Sequence, residues 1–469
     1  MHYVSTRGEA PKAGFDDVIL AGLAPDGGLY VPESWPQFSP DDIREMRGAS
    51  YETIAERVIA PFVGDTIDPE TLRAMIREAY ATFRHPAIAP LAQSGANTFL
   101  MELFHGPTLA FKDVAMQLLA RLMDHVLAER GERATIVGAT SGDTGGAAID
   151  AFAGSNRTDV YILFPEGKVS PVQRRQMTTH GRDNVHAIAV KGDFDDCQSL
   201  VKAMFNDRAF RGEVGLSGVN SINWARIMAQ IVYYFTAAVT LGAPERTVSF
   251  TVPTGNFGDI FAGYAAKRMG LGIERLVIAT NENDILARAL ASGRYERQGV
   301  VTTTSPSMDI QVSSNFERLL FCAGGEDPAA VRTAMDGLAQ AGAFTIDPAA
   351  LREIRRDFSA GRAGMCEADA VIRDVATRTG AVLDPHTAVA LTVARDMPAS
   401  RTPMVVLSTA HPAKFPDAVK AACGIDPALP PWLCDLMNRE EQFDVLANDL
   451  DAVQALIRKT ARAGDANAR

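Results

Sequence analysis

The chain has 469 residues, of which 47% are hydrophobic and only 22% are charged, so it can form large buried cores and is not a disordered protein. Its formal net charge of −11 argues against nucleic acid or an anionic membrane as the main partner. The five cysteines are far apart and form no Cys-x-x-Cys pair, which predicts a reducing, cytoplasmic setting and no metal site.

The first part of the chain reads as a separate N-terminal unit. Residues 1–17 lack the apolar run of a signal peptide. A turn segment rich in proline and glycine, Leu23–Pro36, precedes helical patterns that continue to about Phe83. We predict three regions: an N-terminal domain at 1–95, an α/β core of two subdomains at 96–425, and a C-terminal helical segment with a tail at 426–469.

From about Asn97 the pattern becomes strand, glycine turn and helix in repetition, which predicts parallel sheets in an α/β fold. The predicted buried strands are Ala134–Gly138, Val160–Phe164, Val185–Val190, Thr247–Val252, Leu276–Thr280 and Met404–Leu407. Helices are predicted from about Asp195 to Phe205, up to about Met269, and over the charged stretch from about Thr345 to Arg378. The uncharged run Ile227–Pro244 contains several polar side chains, so we predict a buried helix there and no membrane span. Residues 460–469 are predicted to be a frayed tail.

Lys112 is a lysine at a position where a helix is expected to bury an apolar side chain. In the run HGPTLAFKD (residues 105–113) it follows the helix-start signals Pro107 and Thr108. At 100° per residue it shares one stripe with three apolar residues, Met116, Leu119 and Met123. The polar residues fall on the other side: Asp113, Gln117, Arg121 and Asp124. Loss of hydration lowers the pKa of a lysine and favours Schiff-base chemistry, but a structural lysine whose ammonium reaches water is the alternative.

Two turns combine glycines and hydroxyl side chains between a buried strand and a helix. They are GATSGDTGGAAI (138–149) and PTGNFGDIFAGYAAK (253–267). Such turns present free N–H groups to a phosphate or carboxylate, although glycine-rich turns also occur without a ligand in parallel sheets. Neither turn matches a nucleotide-binding motif. Together with a desolvated lysine, they indicate an aldehyde cofactor that carries a phosphate, and an anionic substrate.

Two further segments carry polar candidates. NSINWARI (220–227) supplies Asn220, Ser221 and Arg226, and the arginine either binds a second phosphate or simply caps a surface. LSTAHPAKF (407–415) follows a predicted strand, at the end of a sheet where open α/β folds bind ligands. Its candidates are Ser408, Thr409 and His411.

Taken together, these segments resemble the threonine synthase family, in its longer form with an N-terminal extension. HGPTLAFKD, GATSGDTGG, NSINWARI, PTGNFGDI and LSTAHPAKF look like that family's blocks in the same order, and GLAPDGGLYVPE resembles its N-terminal signature. The resemblance implies a tryptophan-synthase-β-like, fold type II pyridoxal phosphate enzyme. Its core would have two parallel-sheet α/β subdomains with the cofactor between them, plus the N-terminal domain.

The resemblance also implies roles for individual residues. Lys112 would form the Schiff base with pyridoxal 5'-phosphate, Thr409 would meet the ring nitrogen, and Asp143 would lie near the ring. Shorter relatives carry an amide at the position of Asp143, so the contact of an acid with the phenolic oxygen is left open. The cofactor phosphate would be bound by the main-chain amides of Gly255, Asn256, Phe257, Gly258 and Asp259. The substrate would be held at its α-carboxylate by Thr140, Ser141 and Thr144, and at its phosphate by Asn220, Ser221 and Arg226. His105 and Lys414 are left outside the implied site.

The implied reaction is conversion of O-phospho-L-homoserine and water to L-threonine and phosphate, by γ-elimination and β-addition, as the last step of threonine biosynthesis. Two alternatives stay open. One is a threonine or serine dehydratase, or an amino-acid phospholyase, of the same fold. The other is a non-catalytic protein that binds an anionic metabolite on this fold. In each case the expected partner is a small molecule, with no nucleic acid or membrane, and the expected state is a cytoplasmic monomer or homodimer.

Overall fold

Helices alternate with strands along most of the chain. The structure, a computed structural model, describes residues 1–462. The strands are β1 Tyr3–Ser5, β2 Tyr30–Pro32, β3 Leu91–Gln93, β4 Thr98–Glu102, β5 Ala134–Ala139, β6 Thr158–Pro165, β7 Val185–Lys191, β8 Leu216–Ser217, β9 Val248–Pro253, β10 Ile273–Thr280, β11 Arg294–Glu296, β12 Ala343–Thr345, β13 Phe358–Arg362, β14 Met404–Ser408 and β15 Asp444–Ala447. The helices are α1 Phe15–Ala21, α2 Pro40–Glu45, α3 Tyr51–Val63, α4 Pro69–Tyr80, α5 Lys112–Arg130, α6 Asp143–Phe152, α7 Pro171–Thr178, α8 Phe194–Asn206, α9 Arg208–Val214, α10 Trp224–Thr240, α11 Gly258–Arg268, α12 Ile285–Ser292, α13 Phe316–Ala323, α14 Pro328–Ala341, α15 Pro348–Asp357, α16 Met365–Thr379, α17 Pro385–Asp396, α18 Pro416–Cys423 and α19 Leu450–Thr460.

Two mainly parallel sheets form the α/β core. The larger has the order β13-β10-β9-β14-β4-β3, in which β3 pairs antiparallel with β4 and the other pairs are parallel. The smaller has the order β15-β7-β6-β5-β8 and is parallel throughout. Every residue of β6 is buried, as expected for a strand covered by helices on both faces. The predicted α/β fold class is therefore confirmed.

The N-terminal part of the chain packs directly onto this core. Strand β1 pairs antiparallel with β2, α3 contacts α10, and α4 contacts α5. The fully buried ring of Trp224 on α10 lies 5.9 Å from the ring of Tyr3, 6.1 Å from Trp35 and 5.5 Å from Phe62, measured between centroids. Large aromatic surfaces thus join the two parts. The boundaries at 95 and 425 stay predictions.

Most predicted strands and helices lie within two or three residues of the observed ones, but one stretch is wrong. The region from about Thr345 to Arg378 is not continuously helical, because β13 lies between α15 and α16. There Phe358 pairs with Leu276 of β10, so tertiary pairing overrides the charged helical pattern around it. No helix within residues 1–462 is long and apolar enough to cross a membrane. The tail prediction for 460–469 falls largely outside the described residues.

Candidate active site

Helix α5 begins at Lys112 itself, a few residues after the start signals Pro107 and Thr108. Pro107 and Thr108 lie in the preceding loop, where Leu109 has a φ of 62°. Asp113 holds this loop, because its carboxylate accepts hydrogen bonds from the Thr108 amide at 2.8 Å and from the Thr108 hydroxyl at 2.6 Å. Lys112 therefore occupies the first turn of the helix, against a tightly bonded loop.

Two of the four polar residues on the other side of α5 are also buried, while Arg121 and Asp124 are half-buried. Asp113 is fully enclosed and Gln117 is 2% exposed, because α4, α6 and α10 all pack against this helix. The amide of Gln117 donates to Asp150 at 2.6 Å, so its burial is compensated by a hydrogen bond. The stripe that Lys112 shares with Met116, Leu119 and Met123 is buried as predicted, and burial extends beyond it to part of the polar side.

The ammonium of Lys112 is enclosed by protein. The residue is 8% exposed, and its Nζ lies 3.2 Å from Oδ2 of Asp143 and 4.9 Å from the ring centroid of Phe111. Burial lowers the pKa of Lys112 below its ordinary value, and the opposing effect of Asp143 does not cancel this. A structural lysine that reaches bulk water does not fit this geometry.

The carboxylate of Asp143, at the start of α6, is the centre of the charged cluster. Besides Lys112, it contacts the Lys414 ammonium at 3.3 Å, the Gln173 amide at 2.8 Å and the Ser307 hydroxyl at 3.3 Å. Burial alone would raise its pKa, but the two lysines together hold the pKa of Asp143 well below its usual range. Asp143 is therefore an anion in this site.

A buried histidine supports the same cluster from behind. Ser307 donates its main-chain N–H to Nε2 of His386 at 3.3 Å, and Nδ1 of His386 lies 3.0 Å from the Asp384 carboxylate. This arrangement assigns the ring proton to Nδ1. The segment that carries Ser307 is thus fixed both to α17 and to the Asp143 cluster.

The first glycine-rich turn connects β5 to α6. The hydroxyl of Thr140 accepts hydrogen bonds from the amides of Gly142 and Gly145, each at 2.9 Å, so it shapes the turn. Gly142 has a φ of 136°, a conformation that favours glycine. Ser141 and Thr144 are half-buried, and within the described residues their main-chain amides donate to no protein acceptor. The turn therefore offers free N–H groups beside Asp143.

The second turn lies between β9 and α11. Within residues 1–462, no protein acceptor receives the main-chain N–H groups of Gly255, Asn256, Phe257, Gly258 and Asp259. Phe257 is held at a φ of 65° while its ring packs against Phe316 and Phe358. Such a run of free amides at a helix N-terminus suits a phosphate.

The side chain of Asp259 does not take part in anion binding. Its Oδ1 accepts hydrogen bonds from the hydroxyls of Tyr233 at 2.5 Å and Tyr234 at 3.0 Å, while Oδ2 has no hydrogen-bond partner in the described chain. Burial raises the pKa of this carboxyl to about 6. The main-chain amide of Asp259, and not its carboxylate, is thus the group suited to an anion.

The loop before α10 lies against the second turn. The side-chain amide of Asn315 donates to the main-chain oxygens of both Ser221, at 3.2 Å, and Asn256, at 2.9 Å, which ties the two segments together. Arg318, which is fully buried, donates to the main-chain oxygen of Ile222 at 2.7 Å. Asn220 on this loop is exposed.

Arg226 is a buried cation with a free donor. Its Nη1 donates to the main-chain oxygen of Val219 at 3.2 Å, but its Nε has no hydrogen-bond partner within the described residues. Burial lowers the pKa of Arg226 to about 10, so the group stays charged near neutral pH. Its positive charge also acts on Lys112. A buried guanidinium with an unpartnered N–H is suited to an anionic group.

The end of β14 completes the site. Thr409 is 6% exposed, and its main-chain oxygen accepts a hydrogen bond from the Phe111 amide at 2.9 Å, which holds it beside the lysine loop. Ser408 instead bonds to the hydroxyl of Thr387 at 3.0 Å. His105 lies apart from this cluster and pairs with Glu102 at 2.8 Å.

These residues fit pyridoxal phosphate. A desolvated lysine, five consecutive free amides and a hydroxyl at a strand end match the aldehyde, the phosphate and the ring nitrogen of that cofactor. Sequence reasoning missed Gln173, Ser307 and His386, and left Lys414 outside the site. Lys414 follows the end of strand β14, and Ser305–Ser307 follow a run of threonines, so both had a signal in the sequence. No such signal marks His386, which reaches the site from α17.

Family models match most of the chain. Residues 2–80 match the profile "Threonine synthase N terminus", residues 82–409 match "Pyridoxal-phosphate dependent enzyme", and residues 387–457 match "Threonine synthase, C-terminal". A curated threonine synthase of Pseudomonas aeruginosa is 52% identical over 466 residues, which cover 99% of both chains.

Solved structures give the same result. The crystal structure of pyridoxal-phosphate-bound threonine synthase from Brucella melitensis is 65% identical, with a TM-score of 0.97 over 98% of this chain and 100% of that one. A processed threonine deaminase from Solanum lycopersicum aligns over 81% of this chain and 94% of its own, at a TM-score of 0.51 and 12% identity. That second likeness shows the shared fold alone.

Proposed function

Since this chain belongs to the threonine synthase family, we propose that its substrate is O-phospho-L-homoserine, which it converts with water to L-threonine and phosphate. It is a pyridoxal-phosphate-dependent enzyme of fold type II. The observation that carries the substrate proposal is Arg226, a buried guanidinium with a free Nε beside the Lys112 site. The assembly of the protein as a monomer or homodimer and its cytoplasmic location stay predictions.

Pyridoxal phosphate, when bound, supplies an electron sink for the negative charge that develops on an amino-acid substrate. In the proposed site Lys112 holds it covalently, and the amides of residues 255–259 hold its phosphate. Thr409 offers its hydroxyl to the ring nitrogen. A hydroxyl cannot hold that nitrogen protonated as a carboxylate would, so Thr409 keeps the ring a weaker acceptor of charge.

Lys112 is the proposed base. The lowered pKa of its amine leaves more of it neutral near pH 7, which is what proton removal requires. Once the substrate has released it, Nζ takes the proton from Cα and passes it to a phosphate oxygen of the substrate, so that it is free to take a proton from Cβ. After phosphate has left, Nζ returns the second proton to Cγ. It then takes the proton of the water that adds to Cβ and delivers it to Cα.

Arg226 is proposed to hold the phosphate as the bond to Cγ breaks. Its guanidinium can donate two parallel hydrogen bonds to phosphate oxygens, and these are strong in a buried site. Asn220 and Ser221, on the loop before α10, are proposed to complete the phosphate contacts. Thr140, Ser141 and Thr144 are proposed to lie at the α-carboxylate, where the free amides of the first turn support an anion. Water then adds its oxygen to Cβ.

Product analysis tests this proposal. Purified protein that carries its cofactor is incubated with O-phospho-L-homoserine, and phosphate, threonine and ammonia are measured in the same tube. Equal amounts of phosphate and threonine are expected. Phosphate with ammonia and a keto acid would indicate an amino-acid phospholyase. If protein that retains the cofactor's absorbance releases no phosphate, the proposal that O-phospho-L-homoserine is the substrate is wrong.

A further inference from the structure

Lys414 is a second buried lysine in the site, and the steps above do not use it. It lies in a short 3₁₀ turn, Pro412–Lys414, after β14, and its side chain is fully enclosed. Its Nζ donates to the main-chain oxygen of Thr108 at 2.6 Å and to Oε1 of Gln176 at 2.7 Å. It also lies 3.3 Å from Oδ1 of Asp143. These contacts fix the ammonium in one place.

Asp143 is therefore shared between two cations, one on each carboxylate oxygen. Lys112 contacts Oδ2 at 3.2 Å, and Lys414 contacts Oδ1 at 3.3 Å. Lys112 must give up its positive charge to act as a base or nucleophile, whereas Lys414 has no such duty. A buried carboxylate without a cation is costly, so it needs a partner that remains charged when Lys112 does not.

We propose that Lys414 is a positioning residue which, with Asp143, forms an electrically neutral unit beside Lys112. With this partner, Asp143 can remain an ionised carboxylate beside Lys112 throughout the reaction. This inference rests on the proposed role of Lys112. The fixed ammonium of Lys414 keeps the Asp143 carboxylate ionised and turned towards Lys112. In return, the carboxylate offsets the positive charge of Lys414 as it acts on Lys112. The pair together exerts little net charge on the nitrogen of Lys112.

Other titratable groups surround this unit and Lys112. Lys414 acts on Asp113 of α5 and on His411 before the 3₁₀ turn, and His386 of α17 acts on Asp143. Arg226 of α10 and Asp259 of α11 interact with Lys112. Lys414 and Asp143 are in direct contact at 3.3 Å, and both are buried. Deletion of one member should therefore leave the other uncompensated in a weakly screened site.

Three variants measure this balance: Lys414→Met, Asp143→Asn and the double variant. The readout is the pH midpoint at which the nitrogen that joins Lys112 to the cofactor loses its proton, followed by visible absorbance in the holoenzyme. Lys414→Met leaves an extra negative charge and should raise the midpoint by about one pH unit or more. Asp143→Asn leaves an extra positive charge and should lower it by about as much. The double variant should return close to the wild-type midpoint.

Two controls complete the experiment. Lys414→Arg keeps the charge and should retain most of the wild-type midpoint. Lys420→Met removes an exposed lysine on α18 that pairs with Asp426, and should change nothing. If Lys414→Met does not yield folded holoenzyme, Asp143→Asn and the double variant decide the question by the same criterion.

The inference is overturned if the two single variants move the midpoint in the same direction or not at all, or if the double variant is not restored. Peptide mapping after borohydride reduction is carried out on each variant. Cofactor attached to a residue other than Lys112 would contradict the proposed function. Attachment at Lys112 with an unmoved midpoint would contradict the role of Lys414 alone.

Discussion

Gly255→Ala should weaken cofactor binding through one close contact. A Cβ at this position would lie 2.6 Å from the main-chain oxygen of Ser307, a distance that real side chains do not tolerate. The backbone of Gly255 is not in the left-handed region, so alanine is acceptable there apart from this contact. The turn or the Ser307 segment must therefore shift by several tenths of an ångström.

The size of the effect follows from the rigidity of the two segments in contact, the Gly255 turn and the Ser307 segment. Ser307 is tied to His386 and Asp143, while the turn is tied to Asn315, so neither side moves freely. Overpacking of this kind costs about 1–3 kcal/mol. The apoprotein can relax by shifting the turn, whereas the bound state needs the turn in place, so the strain is expressed as lost affinity. We expect pyridoxal phosphate to bind about 5- to 150-fold more weakly, as measured by equilibrium dialysis and absorbance.

Gly258→Ala is the matched control in the same turn. Its Cβ would lie 3.4 Å from the side chains of Asn315 and Ile227, a contact that a small shift relieves. Its cofactor affinity should stay within about threefold of the wild type. Equal affinities for Gly255→Ala and the wild type would refute the reasoning, as would equal losses in the two variants.

Three further substitutions test the site and its charges. Lys112→Ala should abolish covalent cofactor attachment and turnover. Turnover by this variant, with the cofactor attached to another residue in peptide mapping after borohydride reduction, would contradict the role of Lys112. Arg226→Ala should raise KM for the phosphorylated substrate at least tenfold, with little effect on deamination of serine, and an equal loss for both would argue against phosphate binding. Burial raises the pKa of Asp113 from 3.8 to about 7, so folding stability should fall by a few kcal/mol as pH rises from about 4 to 7, since the unfolded chain binds fewer protons there. Asp113→Asn should lose this slope in urea unfolding at pH 5 and 7.5, and parallel curves for the two proteins would contradict it.

The fold was largely predictable because its signals are local. Buried strands such as Val248–Pro253 are short apolar runs that end in glycine-rich turns, and the helices after them have clear periods. The strand Phe358–Arg362 was not predictable, because its residues acquire their role only by pairing with β10. The start signals Pro107 and Thr108 lie outside α5 for a related reason: Thr108 bonds to Asp113 and does not cap the helix.

The site was predictable where a residue type in a single local segment indicates the chemistry. It was not predictable where a residue belongs to the site only through a contact between distant parts of the chain. Lys112 stands out because a lysine on an apolar pattern is anomalous in sequence. Ser307 and His386 look ordinary in sequence, and they matter only because the fold brings them to Asp143. The tyrosine pair that binds Asp259 is likewise hidden, because it belongs to a different helix.

The order of strands in the larger sheet has a consequence for biosynthesis. Its inner strand β14, which pairs with β9 and β4, is the last of the six to be translated. At a typical 5–20 residues per second, β14 leaves the ribosome roughly 15–60 s after β4. Until β14 is made, β4 and, once it has been translated, β9 each have an unpaired edge that attracts other strands. The nascent chain is therefore exposed to aggregation until residues 404–414 arrive, and these same residues carry Thr409 and Lys414 into the cofactor site.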